Sequence, residues 1–250
     1  MKSPIIQEAK QIIDDARARG IVLRLLGGLA VALRCPSVSR RSLERTYPDM
    51  DFFGVRNEAS LVKQFFLDKG FVPNKRFNAI HGATRLMYKD PIAKRNVDVF
   101  LDEFKMSHRL RLVERLLLDD YTISISDLLL TKLQVVEINE KDFQDIVALL
   151  LDYSVDDPSI AGDQIDPAYI ASLCSRDWGL ERTIILNVEK LKGLLSRYDF
   201  DPSEVKIVQD RISNLLRAVR SHPKTLRWKF RNLLGERKRW YDLPEAPIRT

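Results

Sequence analysis

The stretch Tyr47-Pro48-Asp49-Met50-Asp51-Phe52-Phe53-Gly54-Val55 constrains this chain more than any other. Side chains along a strand alternate between its two faces, so an apolar strand of this kind places Asp49 and Asp51 on the same side. Two carboxylates that close repel each other unless a cation sits between them. A hard divalent cation such as Mg²⁺ meets that need, because it takes one or two carboxylate oxygens and keeps its remaining positions for water and substrate phosphate. Asp-x-Asp pairs also occur in ordinary turns and on surfaces, so the weight of this one depends on its neighbours.

Upstream, Ile21 to Leu26 reads as a buried strand, followed directly by Gly27-Gly28 and a short apolar segment, Leu29 to Leu33, suited to a helix. Strand, glycine pair and helix form a phosphate-binding arrangement: glycine lets a phosphate approach the backbone, and the free N–H groups and dipole of the helix start favour its charge. The plainer reading of the glycines is a tight turn. Downstream, Arg95 to Leu101 is a second clear strand whose interior acid, Asp98, stands between Val97 and Val99. A carboxylate in an apolar strand is costly unless paired or metal-bound, which makes Asp98 a candidate third ligand.

The rest of the chain supplies packing elements. Ser3-Pro4 opens a helix that Gly20 stops. Arg34 to Tyr47, rich in Arg and Ser, reads as a loop. Asn57 is expected to cap a helix that buries Leu61, Val62, Phe65 and Phe66 and ends at Gly70. Phe71 to Lys89 is strand-like but irregular, best over Thr84 to Lys89, and Leu110 to Leu118 fits strand or helix equally. Ser126 is expected to cap a helix from Asp127 to Glu137 carrying Lys132, and Asn139 precedes another on which Asp142 and Asp145 share a face. Those acids suit the dipole of a helix start as well as they suit a functional role. Ser154 to Gln164 breaks the periodicity, and all beyond it reads as helix, opened by Asp166-Pro167, Asp177 and the capping box Asp201-Pro202-Ser203-Glu204. The predicted fold class is α+β: a domain over residues 1–153 with a mixed β-sheet flanked by helices, then an all-helical domain over residues 165–250.

With 250 residues, 45% apolar and 30% charged, the composition is that of a globular protein. No apolar run reaches the roughly 18 residues of a bilayer span and no basic-then-apolar leader opens the chain, so a cytoplasmic protein without membrane contact is expected. Cys35 and Cys174 lack any partner spacing, and three histidines are too few for a His-rich metal centre. The net charge of +6 is placed unevenly. Between Arg217 and Trp240, Arg217, Arg220, Lys224, Arg227, Lys229, Arg231, Arg237, Lys238 and Arg239 face Glu236 alone, a local excess of 9 − 1 = +8. Trp228, Phe230, Trp240 and Tyr241 are interleaved with them. Such a stretch can grip phosphates and stack on unpaired bases. The alternative is a terminal helix that packs Leu226, Phe230, Leu233 and Leu234 and leaves its cations in water.

Gly27-Gly28, then Asp49-Met50-Asp51, then Asp98 on a later strand, together resemble the nucleotidyltransferase superfamily with the DNA polymerase β-like fold. Asp127-Leu128-Leu129-Leu130-Thr131-Lys132-Leu133-Gln134-Val135-Val136, followed by Lys141-Asp142-Phe143-Gln144-Asp145, is similar to the branch that includes the AbiEii/AbiGii-type toxins of toxin-antitoxin systems. The resemblance covers residues 20–150 or so and implies a nucleoside triphosphate such as ATP, Mg²⁺, and transfer of a nucleoside monophosphate to an acceptor hydroxyl. It implies that Asp49, Asp51 and Asp98 hold the metal, that Gly27 and Gly28 approach the triphosphate, and that Asp98 helps deprotonate the acceptor. Lys132 would neutralise phosphate charge and Asp142 would orient it. The acceptor stays open among RNA or tRNA, another nucleic acid, a protein side chain and a small antibiotic-like molecule, with the basic C-terminal region tilting toward RNA. The competing expectation is a non-catalytic nucleotide- or nucleic-acid-binding module that retains the fold.

Overall fold

The computed structural model describes residues 3–40, 42–156 and 163–243. The first helix, α1 (Pro4–Ala18), starts on proline and buries Ile6, Ala9, Ile12, Ile13 and Ala16 at helical spacing. Strand β1 (Leu23–Leu26) is buried throughout and runs without a linker into α2 (Gly27–Arg34). Gly27 makes that junction with φ +70°, a conformation that side chains with a Cβ rarely adopt. Beyond it come β2 (Met50–Gly54), α3 (Ala59–Asp68), β3 (Val72–Pro73), α4 (Lys75–His81), β4 (Arg85–Lys89) and β5 (Asn96–Leu101).

The five strands form one mixed sheet in the order β1-β2-β5-β4-β3. Only β2 and β5 run parallel. Their register sets Asp51 directly beside Asp98, and Phe52 beside Val99. A hairpin, β6 (Glu103–Lys105) and β7 (Arg109–Arg111), hangs from the far end of β5. The remaining helices are α5 (Ile125–Leu133), α6 (Glu140–Asp152), α7 (Pro167–Cys174), α8 (Trp178–Leu195), α9 (Pro202–Ser221) and α10 (Leu226–Leu234). One apolar cluster runs from the sheet through α5 and α6 into α7, α8 and α9. The fold is α+β, with a mixed sheet flanked by helices and a helical C-terminal part, as the sequence predicts.

Several local expectations need correction. Asn57 lies within a short 3-10 turn, Arg56–Glu58, and α3 begins only at Ala59. Leu61 on that helix is 54% exposed, because Val62, Phe65 and Phe66 already fill the side facing the sheet. The irregular stretch after Phe71 contains α4, which Asn74 caps by accepting from the Phe77 N–H at 3.0 Å. Leu110 to Leu118 is both candidates in turn, the end of β7 and then a 3-10 turn, Val113–Leu118. Helix α5 is capped by Ser124 rather than Ser126: the Ser124 hydroxyl accepts from the Asp127 N–H, while Ser126 accepts from the Asp166 N–H across to α7. The packing expected of Leu226, Phe230, Leu233 and Leu234 is absent, since all four are exposed and α10 buries no residue.

Candidate active site

Asp51 and Asp98 stand side by side on neighbouring parallel strands, so their side chains rise from the same face of the sheet. Asp98 is buried, and Arg85 on β4 donates from Nε to its Oδ1 at 2.9 Å. The same guanidinium lies 4.7 Å from the centre of the Phe100 ring. Burial still keeps the Asp98 pKa above the usual carboxylate range, against the pull of Arg85. Asp51 has no such partner at bonding distance among the described residues. Burial, then the Asp98 charge beside it, push its pKa up to about 7, with Lys132 and Arg85 acting in the opposite direction. A carboxyl held at the edge of ionisation next to a second carboxyl is a setting that favours a cation between them.

The space over each of the two glycines is filled by a side chain from elsewhere. The Asp51 carboxylate sits so close over Gly27 that a β-carbon there would collide with it. At Gly28 the guanidinium of Arg45 occupies the same kind of space. The loop expected between Arg34 and Tyr47, which includes a 3-10 turn at Pro36–Ser39, thus returns a cation to the start of α2. Arg45 donates from Nη2 to Asp145 at 2.5 Å and stacks 4.5 Å from the Tyr47 ring. Its Nε is buried and finds no acceptor among the described residues, which leaves a donor ready for a phosphate oxygen.

Behind Arg45 the charges alternate. Asp145, fully buried on α6, pairs with Lys132 of α5 at 2.8 Å, and Lys132 pairs with Asp142 at 3.0 Å. Burial works against the Lys132 ammonium, but Asp145 and Asp142 overrule it and hold its pKa above the ordinary value. Asp142 also closes a capping box with Asn139 at the start of α6. The cap fixes the Asp142 carboxylate, and that carboxylate anchors Lys132.

Asp49 lies just ahead of β2, where it accepts from the side-chain amide of Asn96 at 3.0 Å. Among the described residues no three His, Cys, Asp or Glu side chains gather at metal-binding distance, because Asp49 is turned to Asn96 and Asp98 to Arg85. The donor set nevertheless suits a hard cation: Asp51 and Asp98 are adjacent carboxylates, and among the described residues Asp51 lacks a cationic partner at bonding distance. Sequence reading missed Arg45, Arg85 and Asn96 and gave Asp145 no definite role. Asp145 carried a signal in its three-residue spacing from Asp142; the other three did not.

The sequence matches no family model, and no curated protein matches it. A solved structure described as an antigenic nucleotidyltransferase-like protein from Paracoccidioides brasiliensis matches over 88% of this chain and 94% of its own. Its identity is 14% and its TM-score 0.40, too distant a likeness to assign an activity. No helix among the described residues is long and apolar enough to cross a membrane.

Proposed function

We propose that this chain is a nucleotidyltransferase that moves a nucleoside monophosphate from a nucleoside triphosphate to an acceptor hydroxyl. The observation that supports it most is the Asp51 and Asp98 pair set against a helix that begins on two glycines, with Arg45 and Lys132 behind it. Asp51 and Asp98 would hold Mg²⁺, with Asp49 two residues upstream as the third candidate. Bound Mg²⁺ supplies the positive charge that draws the triphosphate in and stabilises the developing charge of in-line transfer.

The chain's own groups account for the remainder. Arg45, lying over Gly28 with a free donor, would receive a phosphate oxygen. Lys132 sets the positive potential behind the carboxylates. Asp98 would take the acceptor proton once Arg85 swings aside, and the helix start at Gly27 adds its dipole to phosphate binding. The likeness of Asp127 to Val136 and of Lys141 to Asp145 to the AbiEii/AbiGii-type toxins supports that branch, a cytoplasmic setting and a toxin-antitoxin role. RNA or tRNA is the acceptor favoured by the basic C-terminal region.

One observation favours a second reading, a nucleotide-binding module without turnover: Arg85 already neutralises Asp98, as a metal would. Incubation with each of the four α-³²P nucleoside triphosphates, Mg²⁺, and total RNA or protein separates the two. Label transferred by wild type and lost at least about a thousandfold in Asp51→Asn is expected of the enzyme. Equal labelling by the variant would sink the assignment. ATP binding that ignores Mg²⁺, with no label moved, would establish the binding module instead.

A further inference from the structure

A cavity of about 760 Å³ opens between the β6–β7 hairpin, the end of α7, the start of α8 and α10. It lies beyond the end of β5 that is opposite Asp98, so it is separate from the carboxylate site. Six arginines line it: Arg109, Arg111, Arg115, Arg176, Arg227 and Arg231. Trp178, Trp228 and Trp240 line it too, and the chain has three tryptophans in all.

The cations are only partly answered. Glu114 and Asp177 are the acids on the wall, and Asp177 is engaged in capping α8. Arg109 faces Glu103 at 3.3 Å and Arg115 pairs with Asp127 at 2.9 Å. Arg111, Arg176 and Arg227 have no acidic partner among the described residues. Others lie over rings, Arg115 at 3.7 Å from the centre of Tyr169 and Arg231 at 4.6 Å from that of Trp178. A guanidinium fixed in this way loses little side-chain entropy when it meets a phosphate. Trp228 and Trp240 are tethered at their Nε1 atoms, to Glu181 and Thr183, and both remain half-exposed at the cavity wall.

We infer that this cavity binds single-stranded nucleic acid, its phosphodiesters on the free arginines and its unpaired bases against Trp228 and Trp240. The combination of a cationic groove with aromatic side chains is what sequence-tolerant binding of single strands requires. A duplex hides the faces of its bases and would leave the indole rings unused. A chain fits better than a mononucleotide because the cationic track runs on past the cavity through exposed Arg237, Lys238 and Arg239. The exposed Leu226, Phe230 and Leu233 extend α10's uncovered surface.

The site deepens the proposed reading of RNA as acceptor, and its test needs no turnover, so loss of binding is distinguishable from loss of transfer. Fluorescein-labelled U20 RNA is titrated into the full chain, with anisotropy and intrinsic tryptophan emission followed together; every tryptophan reports on this cavity. The triple variant Arg111→Ala/Arg176→Ala/Arg227→Ala removes only exposed side chains without acidic partners. Wild type should bind with quenching, and the triple variant should lose at least about tenfold in affinity. Its salt dependence should flatten by about 2 in log–log slope, near 0.7 for each phosphate no longer neutralised. Lys63→Ala/Lys75→Ala/Arg76→Ala, an equal charge loss on α3 and α4, should bind as wild type does. The inference falls if both triple variants bind alike, if emission does not change, or if polyglutamate binds as tightly as the RNA.

Discussion

At one end of β5, Asp98 and Asp51 lie together with lysine and arginine drawn in from α5 and β4; beyond its other end, six arginines crowd three tryptophans with few acids near. The first region is buried and its cations are each tied to a carboxylate, so its excess charge is negative and local. The second is open, and Arg111, Arg176 and Arg227 there have no acidic partner among the described residues. Burial makes the carboxylate end strained, whereas exposure makes the arginine end tolerant. Substitutions should therefore have large and signed effects at the first and small ones at the second.

The largest stability effect is expected for Lys132→Met. Lys132 bridges Asp145 and Asp142, and removing it leaves Asp145 buried with Arg45 as its remaining partner. A loss of about 3–5 kcal/mol in urea unfolding is the expected range for breaking a buried pair. A loss below about 1 kcal/mol, the range of an exposed pair, would show that Arg45 alone can satisfy Asp145.

Gly28→Ala comes next. A β-carbon at Gly28 would occupy the space of the Arg45 guanidinium, so the variant should displace Arg45 and cost about 1–3 kcal/mol. The double variant Gly28→Ala/Arg45→Ala should recover part of that loss, and nucleotide affinity should stay weak in both. Additive losses would mean that Arg45 does not lie over Gly28 in solution.

How far the sequence disclosed these regions depends on where the causes lie. Asp51 and Asp98 were legible because a strand's period fixes the face of each side chain, and an acid between two valines stands out. That they would be neighbours depended on register, which alternation alone does not set. Arg45 and Arg85 were hidden for the same reason: one reaches Gly28 from a polar loop, the other reaches Asp98 across the β4–β5 pairing. Short α4 was masked by irregular polarity, and Ser124 and Ser126 were equivalent as caps until α7 claimed Ser126. The C-terminal cations were plain in composition, but their convergence with Arg111 and Arg115 from the hairpin region was not.

The remaining predictions set the two regions against each other through pH. Asp51 titrates near 7 in the folded protein and near 4 unfolded, so its contribution to stability is full below about pH 4 and is lost as pH rises through 7. Three units correspond to about 4 kcal/mol at 1.36 each, and sharing of the proton with Asp98 reduces this to about 2. Asp51→Asn should therefore stabilise the metal-free chain by about 2 kcal/mol at pH 8 and change little at pH 4, while abolishing transfer. A variant less stable than wild type at pH 8 would mean that Asp51 has a cationic partner in solution.

His108 works the other way. It is buried in the β6–β7 turn, with Nε2 2.8 Å from the Thr183 hydroxyl of α8, and that hydroxyl accepts from Trp240. Burial lowers its pKa, and Asp177 and Asp242 offset that only in part. A histidine depressed in the folded state contributes stability that is present above its unfolded value near 6.5 and is lost as pH falls through the folded one. Acidification should thus loosen the arginine end while it relieves the carboxylate end. Thermal melts from pH 8 to pH 5 should show His108→Gln losing less stability than wild type on the acid side, and Asp51→Asn losing less on the alkaline side. The double variant should show both changes, because the groups lie at opposite ends of β5 and share no partner. If one substitution altered both limbs, the two ends would be coupled through the sheet, and the contrast between a strained end and a tolerant one would fail.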